Sequence, residues 1–238
     1  MKIDDQEKML EKMREIARQN PDDITIIETS VDSQIQIDFF ESLQRIDENE
    51  DDVNIQALYN ELICKETALD RKKEILAQLT SLGEVESYRL LEEYLKTAED
   101  DIKTWAFLAC QQGRMFLESK LLEESKIYIA SGLGGKDHRL RYVFAFAARE
   151  GVYSDSQENI IRGEIEYYLK KNDGIIENIE FGEGYAICTS LVPIYVNLVE
   201  LIQEIVSEIN QFGNFIKENV FITNEKPVKI KELKDIFV

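Results

Sequence analysis

The hydrophobic periodicity of the chain changes close to Leu121. From about Val53 up to this residue, apolar side chains recur every three or four positions, as in amphipathic helices. After it they recur at every second position, most clearly in Arg139–Ala147 (RLRYVFAFA), which predicts strands. A total of 238 residues also suits two modules better than one. We therefore predict an α+β fold with a helical module over 1–121 and an α+β domain with a C-terminal tail over 122–238.

The helical half contains four predicted helices with short breaks between them. Their positions are near 53–64, 69–81, 84–97 and 101–119. Gly83 suits the left-handed residue that often ends a helix, and Asp100 and Asp101 lie where carboxylates favour a helix start. Short connections make successive helices antiparallel neighbours. We expect burial at their contacts for Leu91, Leu95, Ala106 and Cys110.

The segment Lys72–Cys110 (KKEILAQLTSLGEVESYRLLEEYLKTAEDDIKTWAFLAC) resembles HEAT-like repeats in its order of helix, Leu-Gly turn, helix, acidic turn and helix. The positions that match are Ile75, Leu76, Leu79, Leu82, Gly83, Leu90, Leu91, Leu95, Ile102, Ala106, Leu108 and Ala109. The resemblance extends over residues 53–119. It implies helix pairs that stack on one another and bury a continuous core.

The first 50 residues give mixed signals. Lys2–Gln19 has helical spacing and is followed by the breaker Asn20-Pro21, so we predict an amphipathic first helix. The isoleucines of Ile24–Ser33 fit a strand or a helix, and that segment stays open. Asp38–Arg45 is predicted to be helical.

The C-terminal half begins with a predicted hairpin. Lys126–Ser131 (KIYIAS) and Arg139–Ala147 have strand character, and the glycines of Gly132–Asp137 permit the positive φ values of a turn between them. A helix should follow, opened by Asp155 with Glu158 three residues later, the spacing of a reciprocal cap.

The same arrangement is predicted a second time. Ile175–Phe181 and Tyr185–Val192 form a hairpin around Gly182–Gly184, and a long helix follows over Pro193–Phe212. Two hairpin-plus-helix units predict a four-stranded antiparallel sheet with two helices across one face. In the tail, Val220–Thr223 (VFIT) has the character of an added edge strand.

Charge limits the kind of partner. The formal net charge is -19, and Asn20–Val53 holds eleven acids against one base, Arg45. Such a field repels nucleic acid and anionic lipid, so we expect neither as a partner. No apolar stretch reaches the length of a membrane span, and we expect a cytoplasmic protein. Its three cysteines are odd in number and far apart, which fits reduced thiols better than disulfides.

The most cationic part of the chain is the predicted hairpin turn. We predict a binding site there for an anion or a partner carboxylate, formed by Gly132, Gly134, Gly135, Lys136, His138, Arg139 and Arg141. Asp137 and the following strand do not fit a phosphate-binding P-loop. The alternative is an exposed hairpin whose bases face acids of the helical half.

Catalytic signatures give little support for an enzyme. HExxH, GxSxG and EF-hand spacings do not occur, and acids are too abundant to single out a pair. We predict no catalytic residue, metal site or cofactor. The favoured function is a non-enzymatic adaptor for another protein. The alternatives are a small enzyme or ligand-responsive module that uses the Gly132–Arg141 hairpin, and an acidic immunity or inhibitor protein directed at a basic toxin.

Overall fold

The computed structural model describes residues 15, 18–19, 24–46, 54–122 and 127–237. The predicted α+β class is confirmed, with a helical N-terminal part and an antiparallel sheet in the C-terminal part. The predicted helix over 2–19 lies outside the described residues, except for residues 15, 18 and 19, which are helical. Seven of the eleven acids of Asn20–Val53, which are Asp22, Asp23 and the five over 47–52, also lie outside them.

Helices and strands occur in the described residues at the following positions. The helices are α1 (Ser33–Gln44), α2 (Ile55–Ile63), α3 (Leu69–Leu82), α4 (Val85–Thr97), α5 (Asp100–Leu122), α6 (Asp155–Lys171), α7 (Leu198–Gln211) and α8 (Ile230–Ile236). The strands are β1 (Ile24–Ile26), β2 (Ile127–Ile129), β3 (Gly135–Lys136), β4 (Arg139–Ala148), β5 (Ile175–Gly182), β6 (Tyr185–Pro193) and β7 (Ile216–Thr223).

Residues Val31–Lys126 form one compact unit, made of α1 to α5. The four helices predicted between 53 and 119 are all present, and Gly83 ends α3 in the left-handed conformation with a φ of 56°. Among the residues predicted to be buried, Leu91, Ala106 and Cys110 are buried, and Leu95 packs against the same core while partly exposed.

The first helix of this unit is longer than the predicted Asp38–Arg45. Asp32 explains the earlier start, because its side-chain oxygen accepts hydrogen bonds from the backbone N–H groups of Gln34 at 2.8 Å and Ile35 at 3.4 Å. An acceptor at this position satisfies donors that the first turn of a helix leaves free. Phe39 on α1 is fully buried and meets Trp105 edge to face at 5.5 Å.

Residues Ile127–Val238 form the second unit together with the chain up to Ser30. Four long strands build its antiparallel sheet in the order β7, β4, β6, β5, and the short β3 lies beside the start of β4. The predicted number of long strands therefore matches. Their identity differs, because β7, which contains the VFIT segment, takes the place predicted for KIYIAS.

The predicted pairing of KIYIAS with RLRYVFAFA is wrong. Its strand β2 pairs in parallel with β1, with Ile24 opposite Ile127. Ile24 and Ile26 on β1 are buried against Leu140 of β4, which is distant from them in sequence. The segment Ile24–Ser30 consequently belongs with the sheet, whereas the predicted division placed it in the helical module.

Both faces of the sheet are covered. On one face, Phe144, Phe146 and Cys188 pack against α6 and α7, as predicted for two helices on one face. On the other, Val143 and Ile187 pack with Leu233 of α8, so the tail closes the second face. Apolar residues on both faces explain why β4 and β6 have long apolar runs.

The second hairpin-plus-helix unit is present, but its helix begins at Leu198 and not at the predicted Pro193, which is the last residue of β6. The strands β5 and β6 pair around Glu183 and Gly184, which both have positive φ values, of 52° and 81°. The cap of α6 lies one residue before the predicted Asp155, because Ser154 and Gln157 make the reciprocal bonds. A neutral hydroxyl and amide thus take the place predicted for two carboxylates.

Candidate functional site

The predicted turn at Gly132–Asp137 is not the turn of a hairpin between KIYIAS and RLRYVFAFA. The strand β3 pairs with the start of β4 through a two-residue turn at Asp137 and His138. These two residues have φ values of 48° and 61°, which is the conformation of a type I′ turn. Positive φ therefore falls on Asp137 and His138, and of the three glycines only Gly134 adopts it, at 68°.

The glycines allow close contact between backbone segments. A Cβ atom at Gly132 would lie 1.8 Å from the Glu225 carbonyl oxygen, and one at Gly134 would lie 2.2 Å from the Glu28 carbonyl oxygen. Gly132, Gly134 and Gly135 are all buried. This segment thus passes between the chain after β1 and the chain after β7, and only glycine fits there.

The backbone polar groups of this segment are used inside the unit. The Leu133 N–H donates to the Asn224 carbonyl at 2.9 Å, and the Gly134 N–H donates to the Ser131 carbonyl at 3.0 Å. The Gly132 carbonyl accepts from the Ser30 hydroxyl at 2.6 Å. These two N–H groups are therefore not available to cradle an anion.

Arg141 is committed to an internal ion pair. Its guanidinium binds both carboxylate oxygens of Glu177 on β5, through Nε and through Nη2, the latter at 2.8 Å. Its Nη1 donates to the Leu133 carbonyl at 2.8 Å. The hydrogen bonds from Arg141 hold the pKa of Glu177 below its ordinary value of 4.5, against the opposing effect of burial, and the charge of Lys136 lowers it further.

The other bases of the predicted site also face their own unit. Arg139 donates from Nε to the Asp173 carbonyl at 2.6 Å and from Nη1 to the Asp137 carbonyl at 3.1 Å. The Nδ1 atom of His138 lies 2.9 Å from the Ile24 carbonyl oxygen, where it acts as a donor. The structure brings the predicted residues together, with Lys136 exposed, and Arg139, His138 and Arg141 make their contacts inside the unit.

The cysteines do not have the surroundings of a nucleophile. Cys188 is fully buried in the sheet core, where desolvation raises its pKa to about 12. Desolvation also raises the pKa of the buried Cys110, and Cys64 is a free, exposed thiol. The two buried thiols, Cys110 and Cys188, therefore stay protonated at neutral pH and are weak nucleophiles. In the described part of the chain, no group of three or more His, Cys, Asp or Glu side chains is placed to hold a metal ion.

A groove between α7 and the start of β7 was not predicted. Its volume is about 520 Å³, and its lining is Ile202, Gln203, Val206, Ser207, Asn210, Gln211, Asn214 and Glu218. Ile202 and Val206 are buried and form an apolar floor, whereas Gln203, Ser207 and Gln211 are exposed along the rim. The uncharged polar stripe at 203, 207 and 211 was the signal in the sequence that marked this side of α7.

Asn210 fixes the width of this groove. Its side-chain oxygen accepts from the Ile216 N–H at 3.1 Å, and its amide nitrogen donates to the Ile216 carbonyl at 3.2 Å. These two bonds hold the first residue of β7 against the last turn of α7. The groove is therefore formed before any ligand arrives, which lowers the entropic cost of binding.

A second surface lies on the outer face of α1. Ile37 is 51% exposed and Phe40 is 38% exposed, three residues apart and thus on one side of the helix. Asp38 and Glu41 are exposed beside them. The ring of Phe40 meets that of Phe39 edge to face at 5.8 Å, so the exposed aromatic ring rests on a buried one.

Sequence comparison leaves the function to be inferred from these surfaces. No protein-family model matches the chain, and no curated protein matches its sequence. Among the residues that the structure describes, no helix has both the length and the apolar character needed to cross a membrane.

Proposed function

We propose that the protein is a non-enzymatic intracellular adaptor that binds another protein through the outer face of α1. The observation that carries this proposal is the exposed apolar pair Ile37 and Phe40, with the exposed acids Asp38 and Glu41 on the same helix. A large apolar side chain held in water gains free energy when a partner covers it, roughly 25 cal/mol for each Å² buried. Aromatic anchors of this type dominate the energetics of protein interfaces.

The packing beneath Phe40 suits an anchor. Phe40 contacts Phe39, which is buried and contacts Trp105 on α5. Three rings in contact restrict the rotamers of the exposed one. Less conformational entropy is then lost on binding than for a side chain that moves freely.

Charge supports a partner with a basic rim around an apolar pocket. Arg45 is the only base between Asn20 and Val53, and it already pairs with Glu41 at 3.0 Å on the helix surface. The acidic field would steer a basic protein toward α1 and repel nucleic acid.

We propose a HEAT-like module, which the sequence resemblance implies, as the scaffold of this surface. The helix α3 packs on α5, and α2 packs on α4, as in stacked helix pairs. The free thiols of Cys64, Cys110 and Cys188 fit a reducing, cytoplasmic compartment.

The test is photo-crosslinking in the cells that make the protein. A benzoylphenylalanine at position 40 should form an adduct with a basic protein. When the crosslinking is repeated in a lysate of these cells, high salt should reduce the yield. The matched control is position 85, because Val85 is 46% exposed and lies between Glu84 and Glu86. Equal adduct yields at both positions, or none at position 40, would contradict the proposal.

The two alternative functions are separated by the same experiment. An adduct with a basic toxin or nuclease would make the protein an inhibitor of the immunity type, which the acidic face also suits. The ligand-responsive module at Gly132–Arg141 has less support, because Arg141 and Arg139 already bind Glu177 and the Asp173 carbonyl.

A further inference from the structure

We propose that the groove between α7 and β7 binds an extended peptide whose backbone is recognised by side-chain amides. This site is separate from the α1 face and goes beyond the function proposed above. The peptide has apolar residues at positions i and i+2 and one Lys or Arg next to Glu218. Its other residues are uncharged. Its recognition follows from the floor, the rim, the spacing and the charge of the groove.

The spacing along α7 matches an extended chain. Ile202 and Val206 are one helical turn apart, about 6 Å along the axis at 1.5 Å per residue. Side chains on one side of an extended peptide repeat about every 6.6 Å. The apolar residues i and i+2 of a peptide that runs along α7 therefore lie over Ile202 and Val206. The whole groove, from Ile202 to Gln211, is about 13 Å long and holds about four extended residues.

The rim offers the hydrogen bonds that a peptide backbone needs. Gln203, Ser207 and Gln211 repeat at the same 6 Å interval, about that of successive backbone groups on one side of a strand. A carboxamide has both donors and an acceptor, so it can satisfy a peptide N–H or C=O group. Asn214 supplies a further amide from the opposite wall. All four side chains are exposed, so their groups are solvated in the free protein and can exchange water for a peptide.

Ordinary strand addition to β7 is blocked at this place. The register between β4 and β7 shifts between Ala148, opposite Ile216, and Phe146, opposite Val220, so Lys217–Asn219 bulge against a single residue of β4. Bulges and lysines are devices that prevent an edge strand from pairing. Recognition of the backbone thus falls to the side chains of α7.

The charge of the lining selects the peptide. Glu218 is the charged residue among the lining side chains, and it is 81% exposed where it meets Arg149 at 3.1 Å. An acidic peptide would be repelled, also because Glu200, Glu204 and Glu208 lie on the same helix. A Lys or Arg of the peptide can approach the exposed carboxylate.

The test begins with selection of random heptapeptides displayed on phage against the immobilised full-length chain. We expect enriched peptides with apolar residues at i and i+2, at least one Lys or Arg, and few acids. Ser207→Trp fills the groove and should weaken their binding at least tenfold. Ile175→Trp places the same ring on an exposed position of β5, at the edge of the sheet opposite β7, and should leave binding unchanged. Gln203→Ala with Gln211→Ala removes amides without adding bulk and should also weaken binding.

Methylation of the peptide nitrogens tests the mode of recognition. A methyl group on every second peptide nitrogen should reduce affinity at least tenfold, whereas the same change on the intervening nitrogens should be tolerated. Failure to enrich any peptide, apolar spacing of three or four residues, or indifference to methylation would overturn the proposal. So would a dimer of the chain that Ser207→Trp dissociates, because a second copy would then occupy the groove. None of these results affects the crosslink at position 40.

Discussion

The Gly132–Arg141 hairpin and the groove between α7 and β7 lie in the same unit and use opposite chemistry. The hairpin has glycines and a cluster of bases, and its groups are satisfied by Glu177, Asn224 and the Asp173 carbonyl. The groove has an apolar floor and neutral amides that face water. The difference shows that the more conspicuous polar cluster in a sequence can be the one whose groups are already paired within the folded protein.

The cost of desolvation explains this difference. A guanidinium that becomes half-buried must be paired, because an unpaired charge out of water costs several kcal/mol. Arg141 is such a group, with 24% of its side chain exposed. An exposed amide such as Gln203 remains hydrated at little cost and stays available to a ligand.

The largest loss of stability is expected from a substitution that disrupts the packing of the hairpin. Gly132→Ala places a methyl group 1.8 Å from the Glu225 carbonyl oxygen, so backbone must shift, and we expect a loss of roughly 2–4 kcal/mol in the free energy of unfolding. Urea denaturation measures it. Gly163→Ala is the control, since nothing lies within 4 Å of its Cβ position in α6, and it should stabilise by about 0.5–1 kcal/mol. Equal, small effects of the two substitutions would mean that the hairpin is not tightly packed.

The next effect tests the ion pair of the hairpin. Glu177→Gln should lower stability by about 1–2 kcal/mol at pH 7, because it leaves the half-buried Arg141 without its anion. The exposed pair on α1 provides the control, and Arg45→Gln should cost less than about 0.5 kcal/mol.

The difference in unfolding free energy between wild type and Glu177→Gln should depend on pH with a definite sign. The pKa of Glu177 is lower in the folded protein than its ordinary value of 4.5, so its contribution is complete above that pH and is lost as the pH falls through the folded value. Urea titrations of wild type and Glu177→Gln should therefore converge in acid. If the difference in unfolding free energy stays constant down to pH 3, the ion pair is not its cause.

A charge reversal on the exposed side of the hairpin should have a smaller effect. Lys136→Glu places an acid near Glu177, and Arg139→Glu places a second one beside the Asp173 carbonyl. The pair should lower the melting temperature at low salt, with the loss shrinking as salt screens the repulsion. An unchanged melting temperature at low salt would instead indicate charges that face solvent and remain free for a partner.

The smallest effect is expected at the groove. Gln203→Ala with Gln211→Ala removes exposed side chains and should change the free energy of unfolding by less than about 0.5 kcal/mol. Urea denaturation is again the measurement. A loss above about 1 kcal/mol would show that these amides support the fold, and the contrast with the hairpin would disappear.

Local patterns predicted the helices well. Every helix between Ile55 and Leu122 lies within three residues of its predicted bounds, because caps and apolar spacing are properties of neighbouring residues. The pairing of Ile24 with Ile127 was not predictable in this way, since the two strands are separated by the whole helical unit. Ser154 and Gln157 also have the spacing of a reciprocal cap, one residue before the predicted pair of acids, so the sequence alone offered two adjacent starts for α6.

The candidate sites show the same limit. Turn residues and bases were visible at Gly132–Arg141. Their contacts were not, because Glu177, which binds Arg141, and Glu225, which packs against Gly132, lie on distant segments. The polar stripe on α7 was visible too. Its opposite wall at Asn214 and Glu218 exists only after the chain has turned back into β7.

The measurement that tests the account most directly is an NMR titration of the full-length protein with a heptapeptide selected on it. Backbone amide shifts should change along 202–218, where α7 and β7 border the groove, and should stay constant along 132–141. Changes concentrated at Leu133–Arg141, with α7 unaffected, would contradict the account and return the binding site to the basic hairpin.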